Sequence, residues 1–234
     1  MGFRRAIIAI PFLAACGCLP NSSGIVSTQT AAQIDMKCST PDGISGRPST
    51  IYEVMTLINA LPKPTSLGCF LDALEKPLKV LATSSQLNGQ PAEGARSPRI
   101  FIINAGLILS VVPAGVGSNR LEMSESAPYP QSIKGEVIFP VLTAVSTSVA
   151  YSTIRSGNGT SCASCHQSET PVSNDSTHFG AFASEKRYPD PFFAVSIQSL
   201  LQSERQCRPD QEAYRCRILS AVVGPDRDAY SGTY

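Results

Sequence analysis

Cys162-Ala163-Ser164-Cys165-His166 brings two thiols and an imidazole into five consecutive residues. Thiols two residues apart, followed at once by histidine, form the C-x-x-C-H pattern of covalent c-type haem attachment. The spacing follows from the chemistry. Two intervening residues let the sulfurs reach opposite vinyl edges of one porphyrin and add as thioethers, and a histidine on the same turn faces the iron. The expectation is one haem c per chain, with Cys162 and Cys165 as its attachment points and His166 as the proximal iron ligand.

Two other chemistries use the same residues. A Cys162–Cys165 disulfide would ordinarily open a helix after a strand in a thioredoxin-like βαβ frame, and no such frame is legible here. A zinc site needs a further ligand, yet the next cysteine couple, Cys207 and Cys216, is nine residues apart rather than two to four. Haem therefore ranks first, the disulfide second and zinc last. The sixth iron ligand is harder to read: no methionine follows His166, and the other histidine of the chain is His178. His178 is a candidate distal ligand, with an exposed loop histidine as the plain alternative and an open sixth position as a third. Met123, in "RLEMSES", reads as a strand residue packed in a core. Arg155, Lys186 and Arg187 are candidate partners of propionates, and Glu169 reads as solvated surface.

The compartment has to suit this chemistry. "MGFRRAIIAIPFLAACGC" runs from a basic start through a short apolar stretch to small residues, the order of a secretory signal, and that stretch is too short for a permanent membrane span. Eight cysteines agree with an oxidising environment. Leu13-Ala14-Ala15-Cys16 resembles the bacterial lipobox, which implies a lipidated Cys16 after removal of residues 1–15. Parity argues instead for Cys18. With Cys162 and Cys165 on haem, and with Cys207–Cys216 and Cys38–Cys69 as the expected disulfides, one of Cys16 and Cys18 remains for lipid. The lipobox resemblance favours Cys16. Gly17 after it is the pattern of lipoproteins sorted to the outer membrane, facing periplasm or surface.

Residues 16–48, rich in Ser, Thr, Gln and Gly, read as a flexible, disordered tether, and 49–234 as one α+β domain that carries the motif. Thr50 to Glu53 fits a capping box, followed by apolar residues at helical spacing as far as Pro62. "LGCFLDALEKPLKVLA" predicts a short helix and then an extended segment. "RIFIINAGLILSVVP" predicts a hairpin around Asn104-Ala105-Gly106, and "SIKGEVIFPV" and "VAYSTIR" add two strands to an antiparallel sheet core flanked by helices. A polar loop is expected from the motif to about Tyr188. Helices are expected from Pro191 to Glu204 and from Glu212 to Val223.

The start of the chain, "CFLDALEKPLKVLATSS", "SPRIFI", "SIKGEVIFPV" and "NGTSCASCHQSE" together resemble secreted bacterial lipoproteins with a single C-x-x-C-H. The resemblance implies a shared domain and brings no activity with it. It also departs from class I cytochromes c, which carry the motif near their start and a ligating methionine far downstream. The net charge of +1 points to no nucleic-acid partner, and no phosphate loop, paired carboxylates or nucleophile elbow supports a hydrolase. The expected function is an envelope-anchored c-type haem protein in one-electron transfer, with the membrane as partner through its lipid and with a redox protein. The alternatives are a non-catalytic envelope lipoprotein with a Cys162–Cys165 disulfide, and a haem sensor or peroxidase with an open distal site.

Overall fold

The computed structural model describes residues 36–87, 89–172, 176–225 and 229–232; the signal segment, Cys16 and Cys18 lie outside them. In chain order the elements are α1 (Ile51–Ala60), α2 (Leu67–Asp72), β1 (Leu78–Thr83), β2 (Arg99–Asn104), β3 (Leu107–Val111), β4 (Arg120–Ser126), β5 (Gln131–Ile138), α3 (Ser148–Ser152), β6 (Arg155–Ser156), β7 (Gly159–Thr160), β8 (Thr170–Pro171), β9 (Phe182–Glu185), α4 (Ile197–Arg205), α5 (Pro209–Val223) and β10 (Ala229–Ser231). Short 3₁₀ turns cover Ser161–Ser164 and Pro191–Phe193. The expected α+β architecture is what the chain forms. An eight-stranded sheet runs in the order β10-β1-β2-β3-β4-β5-β9-β8, antiparallel except where β10 lies parallel to β1.

Period-two alternation gives this sheet two chemically different faces. Ile100 pairs with Val111, Ile102 with Leu109, Leu109 with Met123 and Leu121 with Val137, so one face is aliphatic and buried. Helices α1, α2, α3 and α5 supply the other half of that core, with Val54, Leu57, Phe70, Tyr151, Leu219 and Val222 fully or nearly fully buried. Gly135 lets the helices approach closely: a Cβ there would sit 3.2 Å from Ile51 Cδ1 and 3.4 Å from Ala150 Cβ. The opposite face carries Arg99 and Phe101 on β2, Ser110 on β3, Glu122 and Ser124 on β4, and Ser132, Lys134 and Glu136 on β5.

Helix α1 begins at Thr50, whose hydroxyl accepts from the Glu53 NH, while the Glu53 carboxylate accepts from the NH and hydroxyl of Ser49. Cys38 is joined to Cys69 and Cys207 to Cys216, the couples expected from the sequence. The Asp72 carboxylate, buried under α5, pairs with Arg217, which also donates to the Met36 carbonyl.

Five expectations need correction. The boundary of the tether lies earlier than residue 48: residues 36–48 lie against the domain, tied by the Cys38 disulfide, by the Thr40 hydroxyl donating to the Ala73 carbonyl at 2.7 Å and by Glu75 NH donating to the Gly46 carbonyl. Polar composition concealed a segment held by a cross-link rather than by an apolar face. "VAYSTIR" is not a strand but α3 and the start of β6. Ala150 and Tyr151 are buried against the sheet, and tertiary packing overrides the β propensity of the run. The segment from the motif to Tyr188 is not all loop, because β8 and β9 extend the sheet there. The expected helix from Pro191 divides into a 3₁₀ turn and α4, and α5 begins at Pro209, before Glu212.

Candidate functional site

The C-x-x-C-H segment leaves a two-stranded hairpin, β6 and β7, and turns over the polar face of the sheet. Thr160 starts the turn. Its hydroxyl accepts from the Cys162 NH at 3.1 Å, and the NH groups of Cys165 and His166 both donate to the Cys162 carbonyl, at 3.0 and 2.8 Å. The two thiols and the imidazole thus sit on one tight turn. Glu169, expected as solvated surface, braces that turn instead: its carboxylate accepts from the Thr160 NH at 2.8 Å and from the Thr160 hydroxyl.

Cys162 and Cys165 are free thiols, whereas the other four described cysteines are paired. Cys165 is exposed, and burial pushes the Cys162 thiol above its ordinary range. The disulfide alternative is therefore not formed in the structure. His166 Nδ1 lies 2.8 Å from the Glu185 carbonyl oxygen. A carbonyl only accepts, so Nδ1 carries the proton and donates, which leaves the Nε2 lone pair free; this is the outer hydrogen bond that fixes the tautomer of a metal-binding histidine. Burial and the charges of Lys134, Arg99 and Arg187 push the His166 pKa down, with the Glu185 carbonyl opposing, and the ring is neutral at pH 7.

These residues open onto a cavity of about 610 Å³ between the motif and the polar sheet face, within the range of small-molecule and cofactor sites. Phe101, Ile108, Ile154, Tyr188, Pro189 and Phe193 contribute apolar surface to its wall. Five basic side chains, Arg99, Arg120, Lys134, Lys186 and Arg187, line it against three carboxylates, Glu122, Glu136 and Asp190. Glu122 and Glu136 are cross-strand neighbours on this face. Arg99 holds the first at 2.5 Å and Arg120 the second at 2.7 Å, and burial raises the pKa of Glu136. Lys134 is 6% exposed and donates to Ser132 Oγ at 2.8 Å and to Ser124 Oγ at 3.3 Å; burial lowers its pKa to about 8. Ser184, opposite Ser132 on the same face, is fully buried, and its hydroxyl finds no hydrogen-bond partner.

His178 is elsewhere. Its Nε2 lies 3.1 Å from Glu125 Oε1, its Nδ1 lies 2.9 Å from Thr177 Oγ1, and Glu125 also accepts from the NH of Ile51 at the start of α1. Glu125 belongs to the helix-covered face, so His178 stands across the sheet from the cavity and corrects the expectation of a distal ligand. Met123 packs in the core as expected. Arg155 stacks on the Phe182 ring at 4.6 Å rather than facing the cavity, while Lys186 and Arg187 do line it. The Cys207, Glu212 and Cys216 group offers no zinc site, since its sulfurs form a disulfide and Arg215 pairs with its carboxylate.

Sequence reasoning missed Lys134, Glu122, Glu136 and Arg99. The signal was present in the strands: polar residues recur at every second position, Arg120, Glu122, Ser124 and Ser126 in "RLEMSES" and Lys134 and Glu136 in "IKGEV", out of phase with Leu121, Met123, Ile133 and Val137, which marks a polar face rather than solvent, with Glu125 the exception. Compared with family models, with curated proteins and with solved structures, the chain finds no match in any of the three. Among the described residues no helix is long and apolar enough to cross a membrane.

Proposed function

We propose that the protein is an envelope-anchored c-type haem protein, with Cys162 and Cys165 as thioether donors and His166 Nε2 as the proximal ligand. The observation that carries this reading is the placement of His166: an imidazole held through Nδ1 by a backbone carbonyl, beside two free thiols and at the wall of a cofactor-sized cavity. The residues fit the group. The cavity offers apolar wall for a macrocycle and an excess of basic side chains for two propionates. A bound haem supplies reversible one-electron chemistry. The chain's own residues do the rest: Glu169 and Thr160 hold the turn, the Glu185 carbonyl keeps Nε2 unprotonated, and burial of His166 keeps the ring neutral.

Lipid on Cys16 would place the domain at a membrane, and residues 17–35 would then separate that anchor from the described chain. The partners implied are the lipid surface and a soluble or membrane-bound redox protein, at the outer membrane facing periplasm or surface. The two free thiols speak against the disulfide-bearing alternative. The test is expression with export and haem-ligation machinery, followed by a denaturing gel stained for haem. The wild type should stain and a Cys162→Ser, Cys165→Ser double variant should not; staining of the double variant would sink the assignment.

A further inference from the structure

We infer that Lys134 is the distal nitrogen ligand of the haem, an inference that rests on the attachment site proposed above. The buried amine has no carboxylate within ion-pair distance among the described residues; two serine hydroxyls are its hydrogen-bond partners. A buried ammonium held only by hydroxyls is costly, and its retention on this wall calls for a use.

Its direction supplies one. Ser132 and Lys134 lie on the same face of β5, and the lysine reaches back along the strand to Ser132, which pairs with Ser184 of β9. The next residue of β9, Glu185, holds the His166 ring. The amine therefore belongs to the sheet wall of the cavity that Cys162, Cys165 and His166 line from the motif turn, and its charge acts on both Cys162 and His166. Propionates leave a haem on the side away from its vinyl groups, so a cation close to the attachment cysteines is badly placed to serve them. Lys186 and Arg187 at the rim remain for that role.

Other donors are less suited. Met123 packs with Leu109 on the helix-covered face, His178 is held by Glu125 beyond the sheet, and Tyr188 is 59% exposed. An unprotonated lysine amine is a strong-field donor, and paired with imidazole it gives low-spin iron with a potential below that of histidine–methionine ligation.

The experiment uses the holoprotein with lysine labelled by heavy nitrogen at the ε position, studied by electron–nuclear double resonance, together with optical and electron paramagnetic resonance spectra of wild type and Lys134→Ala. The expected result is a low-spin ferric wild type with hyperfine coupling to a lysine nitrogen, and a variant that keeps covalent haem but loses the low-spin signal and gains cyanide or imidazole binding. A wild type without lysine coupling, or a Lys134→Ala spectrum that stays low-spin, overturns the assignment. The labelling arm needs no variant and so decides the matter even if Lys134→Ala fails to fold. Covalent haem without lysine coupling removes this inference alone, whereas a wild type without covalent haem removes the attachment site as well.

Discussion

The two faces of the central sheet share every strand and almost nothing else. On the helix-covered side, Ile100, Leu107, Leu109, Val111 and Leu121 are 2% exposed or less and pack against four helices. On the other side Arg99, Ser110, Glu122, Ser124, Lys134 and Glu136 face a cavity beneath the C-x-x-C-H turn. The first face holds the apolar burial and the second the ionisable groups. Arg99 pairs with Glu122 and Arg120 with Glu136, while the buried Lys134 amine is held by two serine hydroxyls; ionisable groups gathered in a cleft are the pattern that favours a site over plain structure.

The largest separation of the two faces should come from cysteines. Removing Cys162 and Cys165 should abolish covalent haem on a stained denaturing gel while leaving the urea midpoint of the haem-free protein almost unchanged. Removing Cys38 and Cys69 should do the reverse, costing roughly 3.5 kcal/mol for a loop of 31 residues while thioether formation survives in whatever fraction folds. Next comes the ion pair under α5. Asp72→Ala leaves the Arg217 guanidinium buried without its carboxylate and should cost about 3 kcal/mol or more in equilibrium unfolding. Within the sheet, Leu109→Ala should cost about 2–5 kcal/mol, whereas Ser124→Ala on the opposite face should stay within about 1 kcal/mol; equal losses would erase the contrast between the faces.

The smallest effect concerns the start of α1. The NH and hydroxyl of Ser49 hold the Glu53 carboxyl below its ordinary pKa of 4.5. A depressed folded pKa means that the contribution is fully present above the unfolded value and is lost as pH falls through the folded one. Glu53→Gln should therefore lower the thermal midpoint slightly at pH 7, and the difference from wild type should shrink below pH 4.5. A gap that widens in acid would contradict that origin.

Local chemistry made much of this legible in advance. Thr50 and Glu53 announced α1, Asn104-Ala105-Gly106 announced the β2–β3 turn, and the two disulfide couples were expected from the closeness of Cys207 to Cys216 and from Cys38 and Cys69 as the other distant couple. What stayed hidden depended on contacts distant in sequence. The strand β9 became a strand because β5 had a free edge, α3 became a helix because Gly135 left room for Ala150, and residues 36–48 docked through Cys38. The site divided in the same way. The motif was plain in five residues, but the carbonyl that orients His166 lies 19 residues on, and Lys134 comes from a strand whose own alternation shows which face it takes and not what will cover that face. His178 was a candidate by type alone; the pairing of Glu125 with Leu107 and Ile133 puts it on the far side of the sheet.

The most direct test is a pyridine haemochrome assay on purified, acid–acetone-extracted protein made with the haem-ligation apparatus. One covalently held haem per chain, with both vinyl groups saturated, is the predicted result. Folded protein that yields no covalent haem under conditions where a known c-type cytochrome is fully loaded would contradict it.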